Sequence, residues 1–496
     1  MEGVNLLFSA LKKTAKHSLV YGLGTSFAAV AGLVLLPIYT RFLSPSDYGA
    51  YSLISIVVTL LIFLFDFGMV NALFRWYYQY DASEVRMRRR VISTAFIFLF
   101  TLALSITLLL LNNTDLLSNI VFKTTGFSLV IKLMLIGVFL QALTIVPLSL
   151  LRIKERVGLF TAIVISGMTL MVLTNFIFLR SGRGLNGVYE AYIVTYLFIL
   201  IVLFIMTREE HTIDFSLTEL KGMLKFGVPY LPVLFFSWVI DFSDRYLLGH
   251  LATLQDVGLY SIGYKLGQVL YLAEKTFLIA WVPLMLSLHQ KHEDKAPQIF
   301  GGIFTYFILL IFFLFLSVSV FSSEIIRIFT SNAYYGASVV VPWIAFAYLL
   351  SGIYIYMLSG LIIAKNVYLQ PIILLSSAVV NIVLNIILIP RFGMMGSAYA
   401  TVFCYLIVAI LTTFFAQKLY PINIEWSRLA KVAVCAITIF FLSTLVKMPS
   451  LVLTVILKTT LISLLFVSLY FIGFFSKDEI GQFRGILANK GIFKNV

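Results

Sequence analysis

Charge is scarce in this chain, and the few charged residues inside its apolar runs are where chemistry would be done. Asp66 stands in one such run and Lys132 in another. Asp241 lies in a third, with Asp244 and Arg245 just past its end; Lys265, Glu274 and Lys275 share a fourth. An ionisable group in an apolar run is expensive and by default marks the path of an ion or a polar substrate. Tyr264, Gln268, Tyr271 and Lys275 fall at i, i+4, i+7 and i+11, so a helix places them on one face. Ser237, Asp241 and Asp244 form a similar face. On a straight helix starting near Val257, Lys265 lies roughly 12 Å along the axis and Lys275 about 27 Å. The candidate residues of a substrate path on this face and beside it are Lys265, Lys275, Tyr264, Gln268 and Tyr271. Candidate coupling or cavity charges are Asp66, Asp241, Asp244, Arg245, Glu274 and Lys132. The structural reading of the same charges is ion pairs that join helices, or long side chains whose heads reach the interface.

Such residues need elements that carry them through an apolar medium. Of the 496 residues, 61% are hydrophobic and 12% charged, and the mean hydropathy is +1.01. Soluble chains are about 25% charged, so this chain has too little charge to cover a surface in water. Disorder, disulfide scaffolds and soluble enzymes are excluded. A membrane helix needs about 20 apolar residues. About fourteen runs qualify: 18–38, 48–74, 91–111, 126–150, 158–179, 188–207, 224–243, 257–283, 301–321, 336–362, 368–390, 395–416, 430–446 and 450–474. The fold class is an all-α polytopic membrane protein with about 14 transmembrane helices and short connections.

The net charge is +14. With these spans, and with Lys225 and Lys431 at span edges counted to the adjoining loops, 24 of the 36 Lys and Arg fall on the side of the termini, 8 on the other side and 4 within spans. Positive loops stay cytoplasmic, so both termini are expected there. Basic loops facing anionic headgroups explain the charge without nucleic acid. Cys404 and Cys435 lie in apolar runs and imply no disulfide.

The chain also repeats itself. Asp47, Gly49, Tyr51 and Ser52 match Asp256, Gly258, Tyr260 and Ser261, each displaced by 209 positions. Gly184, Gly187, Ala191, Tyr196 and Leu197 match Gly393, Gly396, Ala400, Tyr405 and Leu406 at the same offset. Six spans per copy is an even number, so the repeat is parallel. The expected domains are an N-terminal six-helix lobe (1–207), a second six-helix lobe (208–420), helices 13 and 14 (421–475) and a cytoplasmic tail (476–496). Paired lobes are a transporter architecture, with the ligand site expected between them and alternating access by rocking.

Other motifs carry less. Gly182 to Gly187 fits GxGxxG, but an apolar run long enough to span precedes it in place of a short strand, so a nucleotide site is rejected. The chain has no Walker A sequence. His289, His292 and Glu293 read as a solvated loop, not a metal site, and no catalytic residue is assigned. Ser44-Pro45-Ser46-Asp47 is a helix start with a capping box.

The stretch PIYTRFLSPSDYGAYSLISIVVTLLIFLFDFG and, in the second half, NIVLNIILIPRFGMMGSAYAT from Asn381 to Thr401 resemble the polysaccharide-biosynthesis flippases of bacteria. These are the O-antigen and exopolysaccharide carriers of the multidrug/oligosaccharidyl-lipid/polysaccharide (MOP) exporter superfamily. The resemblance implies translocation of a polyprenyl-diphosphate-linked oligosaccharide, such as an O-antigen unit of lipopolysaccharide, from the inner to the outer leaflet of the bacterial cell inner membrane. It implies no enzymatic activity and no cofactor, with H⁺ or Na⁺ as the possible coupling ion. The implied partners are the lipid-linked substrate, membrane lipids and other polysaccharide-assembly proteins. A drug or cation antiporter of the same superfamily would want a more acidic cavity and normally twelve helices. A membrane enzyme of polysaccharide assembly would need a larger loop or domain.

Overall fold

The computed structural model describes Gly32 and residues 34–81, 83–210, 212–446, 450–477 and 479–481. Among these residues there is no strand. Twelve helices among the described residues are long and apolar enough to cross a membrane, from Pro45–Gln79 to Val452–Phe471. The physical cause is the solvent. Lipid offers no hydrogen bonds, so each segment must satisfy its own backbone, and a helix does so locally. Two expected spans are not among the twelve. The first, 18–38, lies largely outside the described residues. The seventh, 224–243, is helical over Leu231–Leu251, but Asp241, Asp244 and Arg245 leave it less apolar than the rest.

Two expected helices are broken. Pro45–Asp66 and Met69–Gln79 are joined through Phe67 and Gly68, both left-handed. The Asp66 carboxylate accepts the Val70 backbone N–H at 3.1 Å, so it caps the second half. A Cβ on Gly68 would collide with the backbone of Gly227, which is why glycine suits the break. The eighth span divides at Gln268 into Leu254–Gly267 and Val269–Lys291.

The repeat is visible in local geometry. Ser44 and Asp47 form a capping box at the start of Pro45–Asp66, with Asp47 N–H 3.1 Å from Ser44 Oγ. At the equivalent place Thr253 and Asp256 bond the same way, with Asp256 N–H 3.1 Å from Thr253 Oγ1. Gly49 and Gly258 then meet reciprocally. A Cβ on Gly49 would overlap the Leu254 carbonyl, and one on Gly258 would overlap the Pro45 carbonyl. The two first turns therefore cross with backbone against backbone. Gly184 (φ 52°) and Gly393 (φ 55°), also equivalent, share a positive φ at the starts of their helices.

The described chain forms two compact units. Unit 1 holds the residues up to Leu259 together with Phe329–Tyr334, and unit 2 holds Tyr260–Ile328 and the residues from Tyr335 onward. In unit 2, Trp426–Leu445 and Leu451–Phe471 pack against Ala296–Val320. Polar ties hold them at both ends. At one end Arg428 pairs with Glu425 and Glu479, each at 3.1 Å, and its guanidinium lies 4.5 Å from the centre of the Phe474 ring. At the other, the Lys458 ammonium donates to Glu324 and to the Val320 carbonyl, both at 2.8 Å.

Candidate functional site

The Val269–Lys291 helix faces Val341–Ile363 through successive polar rungs. Tyr264 and Tyr271 both reach Tyr348: the Tyr264 and Tyr348 hydroxyls are 2.9 Å apart, and the Tyr271 and Tyr348 rings 5.8 Å apart. One turn on, the Ser351 hydroxyl donates to Glu274 Oε2 at 2.9 Å. Further along, Trp281 Nε1–H donates to Ser359 at 2.7 Å. Glu274 is fully buried, and its Oε1 has no hydrogen-bond partner among the described residues. Buried polar atoms are normally paired. A carboxyl oxygen left over in a membrane helix is where a proton or a cation would bind.

The proposed binding face is thus partly assembled despite the break at Gln268. Tyr264 and Tyr271 converge on Tyr348, and Tyr405 and Tyr260 extend the cluster, at 5.7 Å from Tyr348 and 5.8 Å from Tyr264. Lys265 is half-buried, and so is Gln268 at the break. Lys275 is exposed, with its ammonium 4.5 Å from the centre of the Tyr271 ring. Tyr271 thereby links the cation to the tyrosines.

Unit 1 has an equivalent belt. Tyr39, Tyr51, Tyr189, Tyr192 and Tyr196 follow one another at ring separations of 5.0, 6.5, 6.3 and 4.8 Å. The Tyr192 hydroxyl bonds Gln141. Tyr51 and Tyr196 are the repeat counterparts of Tyr260 and Tyr405. Sequence reasoning passed over Tyr348, Tyr189, Tyr192 and Gln141. The spacing of Tyr189, Tyr192 and Tyr196 at i, i+3 and i+7 was the available signal.

The remaining candidates sit elsewhere. Asp66 is the helix cap described above. On Leu231–Leu251, Arg245 donates from its guanidinium to the Asp241 carbonyl at 2.9 Å and from its backbone N–H to the Asp244 carboxylate at 2.7 Å. Asp244 is buried, Asp241 exposed. Lys132 is exposed in the second turn of Ser128–Ile153. On Leu369–Phe392, Asn385 Nδ2–H donates to the Asn381 carbonyl at 2.9 Å.

Beside the polar rungs, unit 2 contains an apolar groove of 1040 Å³. It lies among Ala296–Val320, Val341–Ile363, Met394–Leu419 and Trp426–Leu445. From Trp426 to Phe441 it follows its last wall for sixteen residues, about 22 Å of helix.

The fold is shared with membrane proteins of known structure. A lipid II flippase, MurJ, in an inward closed conformation superposes with a TM-score of 0.74 over 93% of this chain and 100% of that one, at 16% identity. An inward-facing multidrug resistance MATE family transporter of the MOP superfamily gives 0.67 over 78% of this chain and 94% of that one, at 14% identity. The family described as "Polysaccharide biosynthesis protein" matches residues 38–341, more than half of the sequence, and the chain belongs to it. Two relatives are each 24% identical. A probable low-salt glycan biosynthesis flippase, Agl15 of Haloferax volcanii, aligns over 44% of this chain, and the uncharacterized membrane protein MJ1068 of Methanocaldococcus jannaschii over 63%. The matches span 46% and 64% of those relatives' own length.

Proposed function

We propose that this protein is a flippase that carries a polyprenyl-diphosphate-linked oligosaccharide from the inner to the outer leaflet of the cell membrane by alternating access. The observation that carries the reading is the apolar groove in unit 2. A polyprenyl chain is a long, branched hydrocarbon, and a groove about 22 Å long walled by Phe, Leu, Ile and Trp matches it. Hydrophobicity alone gives no preference, because lipid tails are as apolar as the groove. Fit to the methyl-branched chain must provide it. Membership of a polysaccharide-biosynthesis family and the fold shared with a lipid flippase support the same reading.

The headgroup needs a polar route, and the rung of Tyr264, Gln268, Tyr271, Lys265 and Lys275 is the proposed one. Ammonium groups hold phosphates as point charges. Glu274 is the proposed coupling group, for H⁺ or Na⁺. The likeness to a drug transporter favours a second reading, a drug antiporter, but the intramembrane lysines oppose a cationic cargo.

Deletion of the protein is expected to leave the lipid-linked unit in the inner leaflet while its synthesis continues. If assembly of the unit itself stopped, the protein would be an enzyme of synthesis. Heightened drug sensitivity with normal glycan export would make it an antiporter.

A further inference from the structure

We propose that unit 2 carries a release site for the lipid headgroup, with Arg327 as its anion-binding residue. The inference rests on the flippase reading and on cytoplasmic termini, which put the Val320 end of Ala296–Val320 outside.

A second cavity, of 630 Å³, opens at that end. Its walls are polar where the groove is apolar: Ser319, Ser338, Thr444, Arg327, Glu324 and Lys458 all line it. Pro342 and Phe440 line both cavities. Groove and pocket therefore adjoin at these two side chains, the one apolar along its length and the other polar beside its end. That is the shape of an amphiphile, and a free anion would have no use for the apolar part.

The charges specify the polar end. Arg327, Lys458 and Glu324 leave one positive charge. Lys458 is buried and spends its three donors on both Glu324 oxygens and the Val320 carbonyl. It fixes the floor and ties in the Leu451–Phe471 helix. Arg327 is exposed and packs at 5.5 Å from the centre of the Tyr335 ring, with no carboxylate partner among the described residues. A guanidinium offers a planar fork that bonds two phosphate oxygens at once. Ser319 supports it. This side chain is 4% exposed, lines the pocket, and its Oγ has no hydrogen-bond partner among the described residues. A hydroxyl so placed has a donor to give to an incoming oxygen. The occupant that fits is a polyprenyl diphosphate, with its tail in the groove and its phosphates at Arg327 after crossing.

The test uses the purified full-length protein in detergent and three probes: a polyprenyl diphosphate, the neutral polyprenol of equal length, and inorganic diphosphate. Wild type is expected to bind the lipid diphosphate most tightly. Arg327→Gln is expected to weaken it about tenfold, as loss of a charge-assisted contact predicts, and Arg327→Lys less. Ser319→Val is expected to weaken it about threefold. Polyprenol binding should not change in any variant. Unchanged lipid-diphosphate binding in Arg327→Gln overturns the proposal. So does an equal loss for polyprenol, which would mean a collapsed groove, or inorganic diphosphate binding as tightly as the lipid. Flipping by the wild type in proteoliposomes separates the two readings. Flipping with an indifferent Arg327 removes only the release site, whereas no flipping removes the proposed function and leaves the binding result to be judged alone.

Discussion

Glu274 and Lys275 are neighbours in sequence with opposite fates: one fully buried, the other exposed over an aromatic ring. Burying a carboxyl with one oxygen unpaired is costly, and a transporter recovers that cost if the oxygen holds its coupling ion. Glu274→Gln keeps the shape and the bond from Ser351 but removes the titratable group. Flipping in proteoliposomes is expected to lose its response to a proton or sodium gradient while substrate binding persists. An unaltered gradient response would take Glu274 out of coupling. Lys265→Ala and Lys275→Ala are each expected to lower flipping about tenfold or more at normal protein level, as loss of a phosphate contact implies. A fall in folded protein, restored by removing a partner acid, would instead mark a structural ion pair.

The broken and crossing helices carry their own consequences. At Gly49 the added methyl of Gly49→Ala must displace the Leu254 carbonyl, which is backbone and cannot swing aside. Overpacking of this kind costs about 1–3 kcal/mol. Because the contact is reciprocal, Gly258→Ala should cost a similar amount against Pro45, with thermal unfolding in detergent as the measurement. Two silent substitutions would mean that the turns separate easily. The C-terminal helices depend on a titratable tie. Partial burial would raise the Glu479 carboxyl, but the Ser476 backbone N–H at 2.7 Å and Arg428 outweigh it and hold it below its usual value of 4.5. A lowered folded value means that its stabilisation is present above the unfolded value and lost as pH falls through the folded one. Hydrogen exchange in residues 472–481 should therefore rise in acid, below about pH 4.5, and Glu479→Gln should show the raised exchange already at neutral pH. Exchange that is flat with pH would dismiss the tie.

Across the whole molecule the testable quantity is orientation. The 24-to-8 division of cations motivates cytoplasmic termini. Single cysteines at Asn113 and Ser181 should react with an impermeant thiol reagent from outside. Cysteines at Glu84 and Glu210 should react only after permeabilisation. The reverse pattern would invert the proposed direction of transport and place the Arg327 pocket in the cytoplasm.

Much of this was legible from residues alone. Lipid forces every spanning segment to close its own backbone bonds, so hydropathy and length reveal the helices. The offset of 209 pointed to the repeat, and the equivalent Gly184 and Gly393 share a positive φ. The resemblance of two stretches pointed to the family. What the sequence did not disclose depends on neighbours far away in the chain. The break at Gln268 carries no proline. The fate of Glu274 turns on Ser351, 77 residues on, and that of Lys458 on Glu324, 134 residues back. Tyrosine suits lipid interfaces, cores and binding sites equally well, so the belts around Tyr348 and Tyr189 emerge only when helices bring them together. Periodicity tells which side of a helix a residue occupies. Which partner that side meets is set by packing, because the contact energies that choose it belong to pairs of segments and not to either one.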